Sequence, residues 1–532
     1  MIHRSPLAFV AIAVVLTVAA ATQRPERFLV LPFENPGKEA RIYWLGEASA
    51  VLLAEELNTL GRRAYTREER LEAFEQLQMP PVAGLSHATV IRLGQLVGAT
   101  HVVIGSFALT GGQIAVRAQN IKLDTGQMES EILESGPLEN LFEVFSRVSR
   151  RVAGDAAASA TPPARPSLQV FEQFIKGLIA TAPATKISHL ESAIKLDPRF
   201  DRARLELWAV HRDEGNGQAA LVTAAAVPEA SPMYADARFA VAMSLIQLRR
   251  LEDAFATLRT LSDRSPSAAL MNNIGVIQMR RPVTPQTGRA TYYFNQALTL
   301  DQDDPDYYFN LGYAYWAEKD AQAAIFWLRE AVRRNPVDGE AHAVLAAALQ
   351  ATGATSEASR ERELATQLSS IYAEWAKKPA SGEPIPRGLE RLKPSLQPST
   401  IRRVDNAIST TGQREQKELA AFYLDRGRRF FEQGSNTDAI TELRRALYLS
   451  PYEAEAHLLL GRIYLRTGQI PAAIDALKIS LWSEESAAGQ IALAQAYLQN
   501  KDVAAARTAL ERALVLDPNS VDAKELLTKL KP

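Results

Sequence analysis

Two asparagines recur at one position of a repeating pattern, and their side chains are suited to recognition chemistry. Asn273 and Asn310 each stand two residues before a glycine, Gly275 and Gly312 respectively. An asparagine amide carries donors and an acceptor, so it can pair with both the N–H and the C=O of an extended peptide. The pattern therefore predicts a site that binds peptide backbone.

Three aromatic residues accompany the second asparagine. Phe309, Tyr313 and Trp316 follow at helical spacing, so they can share one face of a helix. We predict that these residues and the two asparagines form a partner-binding groove. The alternative is that the asparagines satisfy local polar groups while the aromatic rings fill the space between helices. Both interpretations stay open, because later repeats have other residues at the asparagine position: Asp425, Leu459 and Ala492.

The sequence offers no local pattern for metal, cofactor or nucleophilic chemistry. The chain has no cysteine, which excludes disulfides, zinc–thiolate sites, iron–sulfur clusters and thiol catalysis. It contains neither a phosphate-binding glycine loop nor a dinucleotide fingerprint nor a Gly-x-Ser-x-Gly elbow. We therefore expect no catalytic residue, no metal site and no cofactor. No two histidines lie within one helical turn: His3, His87, His101, His189, His211, His342 and His457.

An acidic cluster before the second asparagine suggests calcium at first sight. It consists of Asp301, Asp303, Asp304 and Asp306. A calcium-binding EF-hand loop starting there would need glycine at its sixth and glutamate at its twelfth position, where this chain has aspartate and Gly312. We expect these carboxylates to cap the following helix instead.

Length and charge limit the possible architectures and ligands. The 532 residues are many for one compact core, so we expect several domains or an elongated array. Lys and Arg total 60 against 61 Asp and Glu. This balance gives no reason to expect nucleic acid as a partner.

The first residues resemble an export signal. His3 and Arg4 precede an uncharged, alanine-rich stretch from Leu7 to Ala21, which ends in three alanines before Thr22. We expect a signal peptide at residues 1–21. The alternative is an uncleaved membrane anchor, although a spanning helix usually needs about 20 predominantly apolar residues. Membrane association is expected only if this segment is retained, and either way the body of the protein would lie outside the cytoplasm.

Residues 27–153 have strand and helix signals that differ from the rest of the chain. An apolar run at 28–31 predicts a strand, and helical spacing predicts helices at 44–60, 88–97 and 138–152. Gly111-Gly112 and Asp124-Thr125-Gly126 are hairpin signals between further strands. The segment is predicted to be a small α+β domain with an antiparallel meander formed by three strands: 101–109, 113–123 and 127–134.

Beyond a proline-containing linker at 154–166, small residues and prolines recur at a spacing of about 34 residues. Small residues let two helices approach closely, and a proline ends the second helix of each unit. This predicts helix pairs at 167–372 and at 420–531, the last ending in a capping helix. A connector at 373–415 separates the two blocks, because helix pairs cannot continue through its prolines; it either wraps on the array or acts as a hinge.

The repeats resemble the tetratricopeptide repeat family. One copy reads Asn310-Leu311-Gly312-Tyr313-Ala314-Tyr315 and a second reads Leu460-Gly461-Arg462-Ile463-Tyr464, each followed by the expected alanine and leucine. Trp208, Ala346 and Glu485 depart from the pattern. The resemblance implies a mainly α fold: a tetratricopeptide-type α-solenoid of about nine helix pairs in two blocks, preceded by the α+β domain. It also implies a concave inner surface that binds peptides without catalysis, onto which the two asparagines face.

The α+β segment is similar to the amino-terminal domain of the TolB family. The resemblance is carried by Leu31-Pro32-Phe33-Glu34-Asn35, by Trp44-Leu45-Gly46-Glu47 and by the run from Leu96 to Ser106. It implies a bacterial periplasmic interaction domain and supplies no catalytic residues.

These features together predict a non-enzymatic protein–protein interaction scaffold, periplasmic or exported, that binds protein or peptide partners from the cell envelope. The alternative is an enzyme, or an accessory subunit of a complex that processes envelope polymers, with a site formed by distant residues. Changing Asn273 and Asn310 to alanine is expected to weaken partner capture and to leave the melting temperature nearly unchanged.

Overall fold

A computed structural model describes residues 26–37, 39–76, 87–123, 125–154, 165–284, 286–377, 384–396, 409–450 and 453–530. The predicted signal segment, most of the predicted linker and two stretches of the predicted connector lie outside these ranges. Within them, no helix combines the length and the apolar content needed to cross a membrane.

The N-terminal domain contains a mixed sheet. Its strands pair in the spatial order β2-β1-β3-β4-β5, with β1 parallel to both neighbours and β3, β4 and β5 antiparallel. The predicted meander is therefore present, and the short β2 was not predicted. The strands are β1 Arg27–Val30, β2 Arg63–Ala64, β3 His101–Thr110, β4 Gln113–Lys122 and β5 Ile132–Pro137.

The last strand begins later than the sequence predicts. Residues 127–129 pair with the end of β4 through an isolated bridge between Met128 and Ile121 and through two backbone hydrogen bonds, from the N–H of Lys122 to the carbonyl of Gln127 and from the N–H of Glu129 to the carbonyl of Asn120. Regular pairing starts only where Ile132 lies opposite Ala118. The chain thus turns back at the Asp-Thr-Gly sequence as expected, and a break in the pairing at residues 130–131 separates this turn from the regular strand.

Helices cover both faces of this sheet. Alternate residues of β1 point to opposite sides, with Phe28 and Val30 in one core and Leu29 in the other. The first core continues into the repeats, where Trp44 meets Phe171 edge-on with ring centroids 6.3 Å apart. The helices are 3₁₀ turns at Ala40–Ile42 and Leu138–Asn140, and α1 Leu45–Thr59, α2 Arg67–Gln76, α3 His87–Val97 and α4 Leu141–Ala153.

A buried ion cluster reinforces the junction between this domain and the repeats. Glu47 of α1 binds both Arg67 and Arg70 of α2. Burial opposes ionisation of Glu47, but the two guanidinium groups outweigh it and hold the pKa of this carboxyl below its usual range. Arg67 also donates 3.0 Å to the carbonyl of Leu178 in the first repeat.

Helix pairs follow at the predicted positions. The first block has six described pairs: α5 Leu168–Ile179 with α6 Pro183–Leu196, α7 Asp201–Asp213 with α8 Gly217–Ala225, α9 Tyr234–Gln247 with α10 Leu251–Arg264, α11 Ala268–Met279 with α12 Ala290–Leu300, α13 Pro305–Ala317 with α14 Ala321–Arg334, and α15 Gly339–Ala351 with α16 Thr355–Leu368. A short helix, α17 Ser370–Ala376, ends the block.

The second block has three described pairs and a capping helix. It begins inside the predicted connector, since its first helix starts at Ser409. The helices are α18 Ser409–Glu432, α19 Asn436–Leu449, α20 Ala454–Arg466, α21 Ile470–Ser483, α22 Ala487–Gln499, α23 Val503–Leu516 and α24 Val521–Lys529.

Glycine permits the close approach of paired helices. A Cβ atom added to Gly312 would lie 2.7 Å from the Leu328 side chain of the partner helix. The same addition at Gly461 would lie 2.5 Å from Leu477. Any larger residue would force the two helices of the pair apart.

The second block returns to the start of the array. The backbone N–H of Thr181 donates to the carbonyl of Ser483 at 3.3 Å, and the N–H of Glu485 donates to the hydroxyl of Thr185 at 3.1 Å. Glu485, which replaces the usual terminal proline, also pairs with Arg512. We call these contacts the seam between the two blocks.

Candidate functional site

The first helices of successive pairs lie next to one another and form an inner face. Residues 384–396 lie along α11, α13 and α15 of this face, so this stretch of the predicted connector wraps on the array. Ile385 packs with the core of the later pairs and Leu396 packs with that of the earlier ones. The segment therefore runs opposite to the order of the repeats. We call residues 384–396 the strap.

Asn310 holds the strap by its backbone in both directions. Its Oδ1 accepts from the N–H of Arg391 at 2.8 Å, and its Nδ2 donates to the carbonyl of Arg391 at 2.8 Å. The asparagine is completely buried. Helix α13 places it there because Pro305 and the capping Asp304 fix where the helix begins.

Asn273 makes the same pair of bonds two residues further along. Its Oδ1 accepts from the N–H of Lys393 at 2.7 Å, and its Nδ2 donates to the Lys393 carbonyl at 2.9 Å. Alternate residues of an extended chain face the same side. Two repeats thus bind two alternate residues of one extended segment.

Asn272 links the two backbone-binding asparagines. Its Nδ2 donates to the Arg391 carbonyl at 2.8 Å and to Asn273 at 3.1 Å, while its Oδ1 accepts from Asn310 at 2.7 Å. All three amides are fully buried. Their hydrogen bonds to one another and to the strap fix the rotamers of these three side chains.

The side chain of Arg391 enters an acidic pocket. Its guanidinium binds Asp338 through two nitrogens at 2.6 and 2.7 Å, and it also reaches Asp306 at 3.0 Å and Glu340 at 3.2 Å. The Phe309 ring lies beneath it, 3.7 Å from the guanidinium carbon to the ring centroid. Burial disfavours the charge, but these carboxylates hold the pKa of Arg391 above its usual range.

Lys393 occupies a second acidic position. Its Nζ lies 2.5 Å from Asp304 and 2.6 Å from Asp306, and 5.0 Å from the centroid of the Tyr307 ring. Of the four acidic residues predicted to cap α13, Asp304 does so, because its side chain accepts from the backbone N–H of Asp306. The Asp304 carboxylate therefore both caps α13 and binds the strap.

Other strap residues contact the repeats through an apolar side chain, an acidic side chain and the backbone. Leu392, between the two cations, packs against the cores of the earlier and later pairs. Glu390 binds Arg280 at 2.5 Å. The hydroxyl of Tyr313 accepts from the N–H of Gly388 at 3.2 Å, and burial raises the pKa of Tyr313.

Four of the five predicted groove residues contact the strap. Asn273 and Asn310 bind its backbone, Phe309 stacks on Arg391 and Tyr313 binds Gly388. Trp316 is half-buried and packs against the core of the later pairs. Binding of a partner by these residues stays a prediction, because they contact a segment of their own chain, and Phe309 and Tyr313 are also buried between helices.

Sequence reasoning missed the strap-binding role of five residues: Asn272, Asp304, Asp306, Asp338 and Glu340. Asn272 was visible as the neighbour of Asn273, but its partners lie more than 35 residues away. The four carboxylates look like ordinary helix-start residues, and Asp304 and Asp338 do cap α13 and α15. Within the described ranges, no three histidine, aspartate or glutamate side chains are arranged to hold a metal ion.

Comparison with protein families finds repeats in both blocks. Residues 305–338 match a family model described as "Tetratricopeptide repeat", residues 427–478 match one described as "TPR repeat", and residues 487–530 match another described as "Tetratricopeptide repeat". The chain contains tetratricopeptide repeats. The first matched segment includes Asn310, Phe309 and two of the acidic residues that bind the strap, Asp306 and Asp338.

Solved structures of other repeat proteins are similar over parts of the chain. The first repeat domain of human RPAP3 is 20% identical, with 21% of this chain and 91% of that chain covered and a TM-score of 0.21. MamA is 18% identical, with 33% and 94% covered and a TM-score of 0.28. YrrB, described as a TPR protein with an unusual peptide-binding site, is 14% identical, with 44% and 97% covered and a TM-score of 0.20. Likeness at this level carries no functional argument. Comparison with curated proteins finds no match.

Proposed function

We propose that this protein is a non-enzymatic scaffold of the bacterial cell envelope whose inner face binds an extended segment of a partner protein. The observation that carries the proposal is that Asn310 and Asn273 each both donate to and accept from the backbone, at positions 391 and 393 respectively. Backbone binding of this kind accepts an extended peptide, and the flanking pockets select side chains.

The compartment and the role of the N-terminal domain belong to the same proposal. The expected signal at residues 1–21 supports export, and the resemblance of residues 27–153 to the TolB amino-terminal domain supports docking to an envelope component. In this arrangement the α+β domain attaches the protein while the repeats recruit the partner. Fractionation of cells expressing the full chain tests the compartment, because recovery in the cytoplasmic fraction would contradict it.

Site-specific photo-crosslinking in cells tests partner binding. A photoreactive aromatic residue replaces Trp316, which is half-buried on α13 beside the groove. The matched control replaces Phe326, which is 60% exposed on the second helix of the same pair. We expect a protein adduct from position 316 that is absent at 326. Equal labelling at both positions, or no intermolecular adduct at 316, would overturn the proposal.

A further inference from the structure

We propose that the strap is a built-in stand-in for the partner, and that the groove binds in trans an extended basic peptide containing Arg-x-Lys, which replaces the strap. This inference rests on the proposed function and specifies its partner. The side chains of Arg391 and Lys393, two residues apart, define the pattern, and the residue between them is apolar.

The charge of the groove selects a basic ligand. Four carboxylates, from Asp304, Asp306, Asp338 and Glu340, converge on the two strap cations. Without a cation, Asp338 would be a buried charge lacking its principal partner, since its side chain is only 5% exposed. Buried unpaired carboxylates are strongly unfavourable, so an incoming peptide must supply both positive charges.

The backbone bonds add a second requirement. The residues at both cationic positions donate their N–H groups to asparagine oxygens. Proline has no N–H, so it is excluded from these two positions. The strap follows this rule, because its prolines at 384, 386 and 394 lie outside them. An apolar residue between the cations gains the packing that Leu392 has against both repeat cores.

The strap is placed so that it can be exchanged. Pro394 and Ser395 are exposed, as are Arg387 and Gly388. The strap is joined to the array by the chain on both sides, so its local concentration is on the order of millimolar for short connections. A partner must compete with this tethered segment, and its apparent affinity is reduced by the fraction of molecules in which the groove is filled.

Peptide binding to the full chain tests the inference. The probe is a fluorescent peptide with the sequence of residues 384–396, and its counterpart carries Arg391→Glu and Lys393→Glu. Fluorescence anisotropy is measured with wild-type protein and with an Arg391→Ala, Lys393→Ala variant. The control protein is Arg360→Ala, Arg362→Ala, which removes the same charge at the same spacing from exposed positions of α16.

We expect the probe to bind the strap variant at least about 10-fold more tightly than wild type, because the weakened strap no longer fills the groove. The control protein should bind like wild type, and adding Asn310→Ala to the strap variant should abolish binding. The charge-reversed peptide should bind neither protein. If circular dichroism finds the double variant unfolded, Lys393→Ala alone replaces it, because this variant retains the Arg391 pocket.

The outcomes separate this inference from the proposed function. Equal binding of the probe to wild type and strap variant would overturn the inference, as would equal binding of both peptides. If neither peptide binds while crosslinking at position 316 captures a partner, the groove accepts a different ligand and only the inference fails. If neither peptide binds and crosslinking at position 316 captures no partner, both the inference and the proposed function fail.

Discussion

Replacing Asn310 by alanine should weaken docking of the strap without unfolding the repeats. The substitution removes the bonds to the N–H and the carbonyl of Arg391, and it takes a partner from Asn272. The ion pairs of the Arg391 side chain stay in place. The variant therefore isolates the backbone contribution to docking of the strap.

The expected magnitude follows from the bonds that are lost. Two neutral hydrogen bonds contribute about 1 kcal/mol each, and buried groups left without partners raise the cost, giving about 2–4 kcal/mol in total. At about 1.4 kcal/mol for each factor of ten, the open state of the strap becomes roughly 30- to 1,000-fold more populated. When the strap opens, water can form hydrogen bonds with the groups that it uncovers. The substitution therefore lowers stability by no more than the free energy of docking the strap. The melting temperature should then change little, as the sequence predicts.

Hydrogen exchange measured by mass spectrometry reports this opening. Amide protons of Arg391 and Lys393 are protected while the strap is docked and exchange when it opens, so their exchange should accelerate by the same factor. The control is Asn295→Ala on α12, whose amide donates only within its own helix, to the Thr291 carbonyl at 2.8 Å. The control should exchange like wild type.

Two results would refute this reasoning. Exchange of the wild-type strap at the rate of an unstructured peptide would mean that the strap does not dock. Unchanged protection in Asn310→Ala would mean that other contacts hold it and that the asparagine bonds contribute little. A large fall in melting temperature would assign Asn310 to the packing of the repeats.

Three further substitutions test the scaffold. Burial, with a smaller effect of Lys176, lowers the pKa of His189 from 6.5 to about 4. The folded protein favours the neutral ring, so its stability falls as the pH drops from about 6.5 to about 4. Replacing His189 by glutamine should therefore flatten the pH dependence of thermal unfolding. Gly461→Leu should lower the free energy of unfolding by at least about 1–3 kcal/mol in urea, because its side chain collides with Leu477; a neutral effect would mean that the pair can separate. Glu47→Ala should cost about 3–5 kcal/mol in the same assay, since it leaves the buried Arg70 and the partly buried Arg67 without their shared carboxylate; a loss below about 1 kcal/mol would contradict a structural role for the cluster.

The helix pairs were predictable because local rules govern them. Small residues such as Gly312 and Gly461 must face a neighbouring helix, and capping residues such as Asp304 fix where helices begin. The start of β5 was misplaced because its register depends on pairing with Ala118, not on the turn sequence. Local signals thus define elements better than they define long-range pairing.

The site was only partly predictable, for the same physical reason. The spacing of Asn273 and Asn310 indicates backbone binding, and both amides do bind backbone, that of the strap. Nothing local connects Arg391 with Asp338, which lie 53 positions apart. Prolines predict that residues near 384–396 leave the helical pattern, but charge complementarity across the folded array determines where they lie.

Docking of the strap also strengthens the seam formed by Ser483, Glu485 and the first repeat. The strap lies between α17 and α18 in the chain. When it is docked, only the residues after it connect the second block to the first, so the tether between the two blocks is shorter. A shorter tether raises the effective concentration of the second block at the seam. Thermodynamic linkage makes this coupling reciprocal, so loosening the seam weakens the docked strap by the same free energy that docking contributes to the seam.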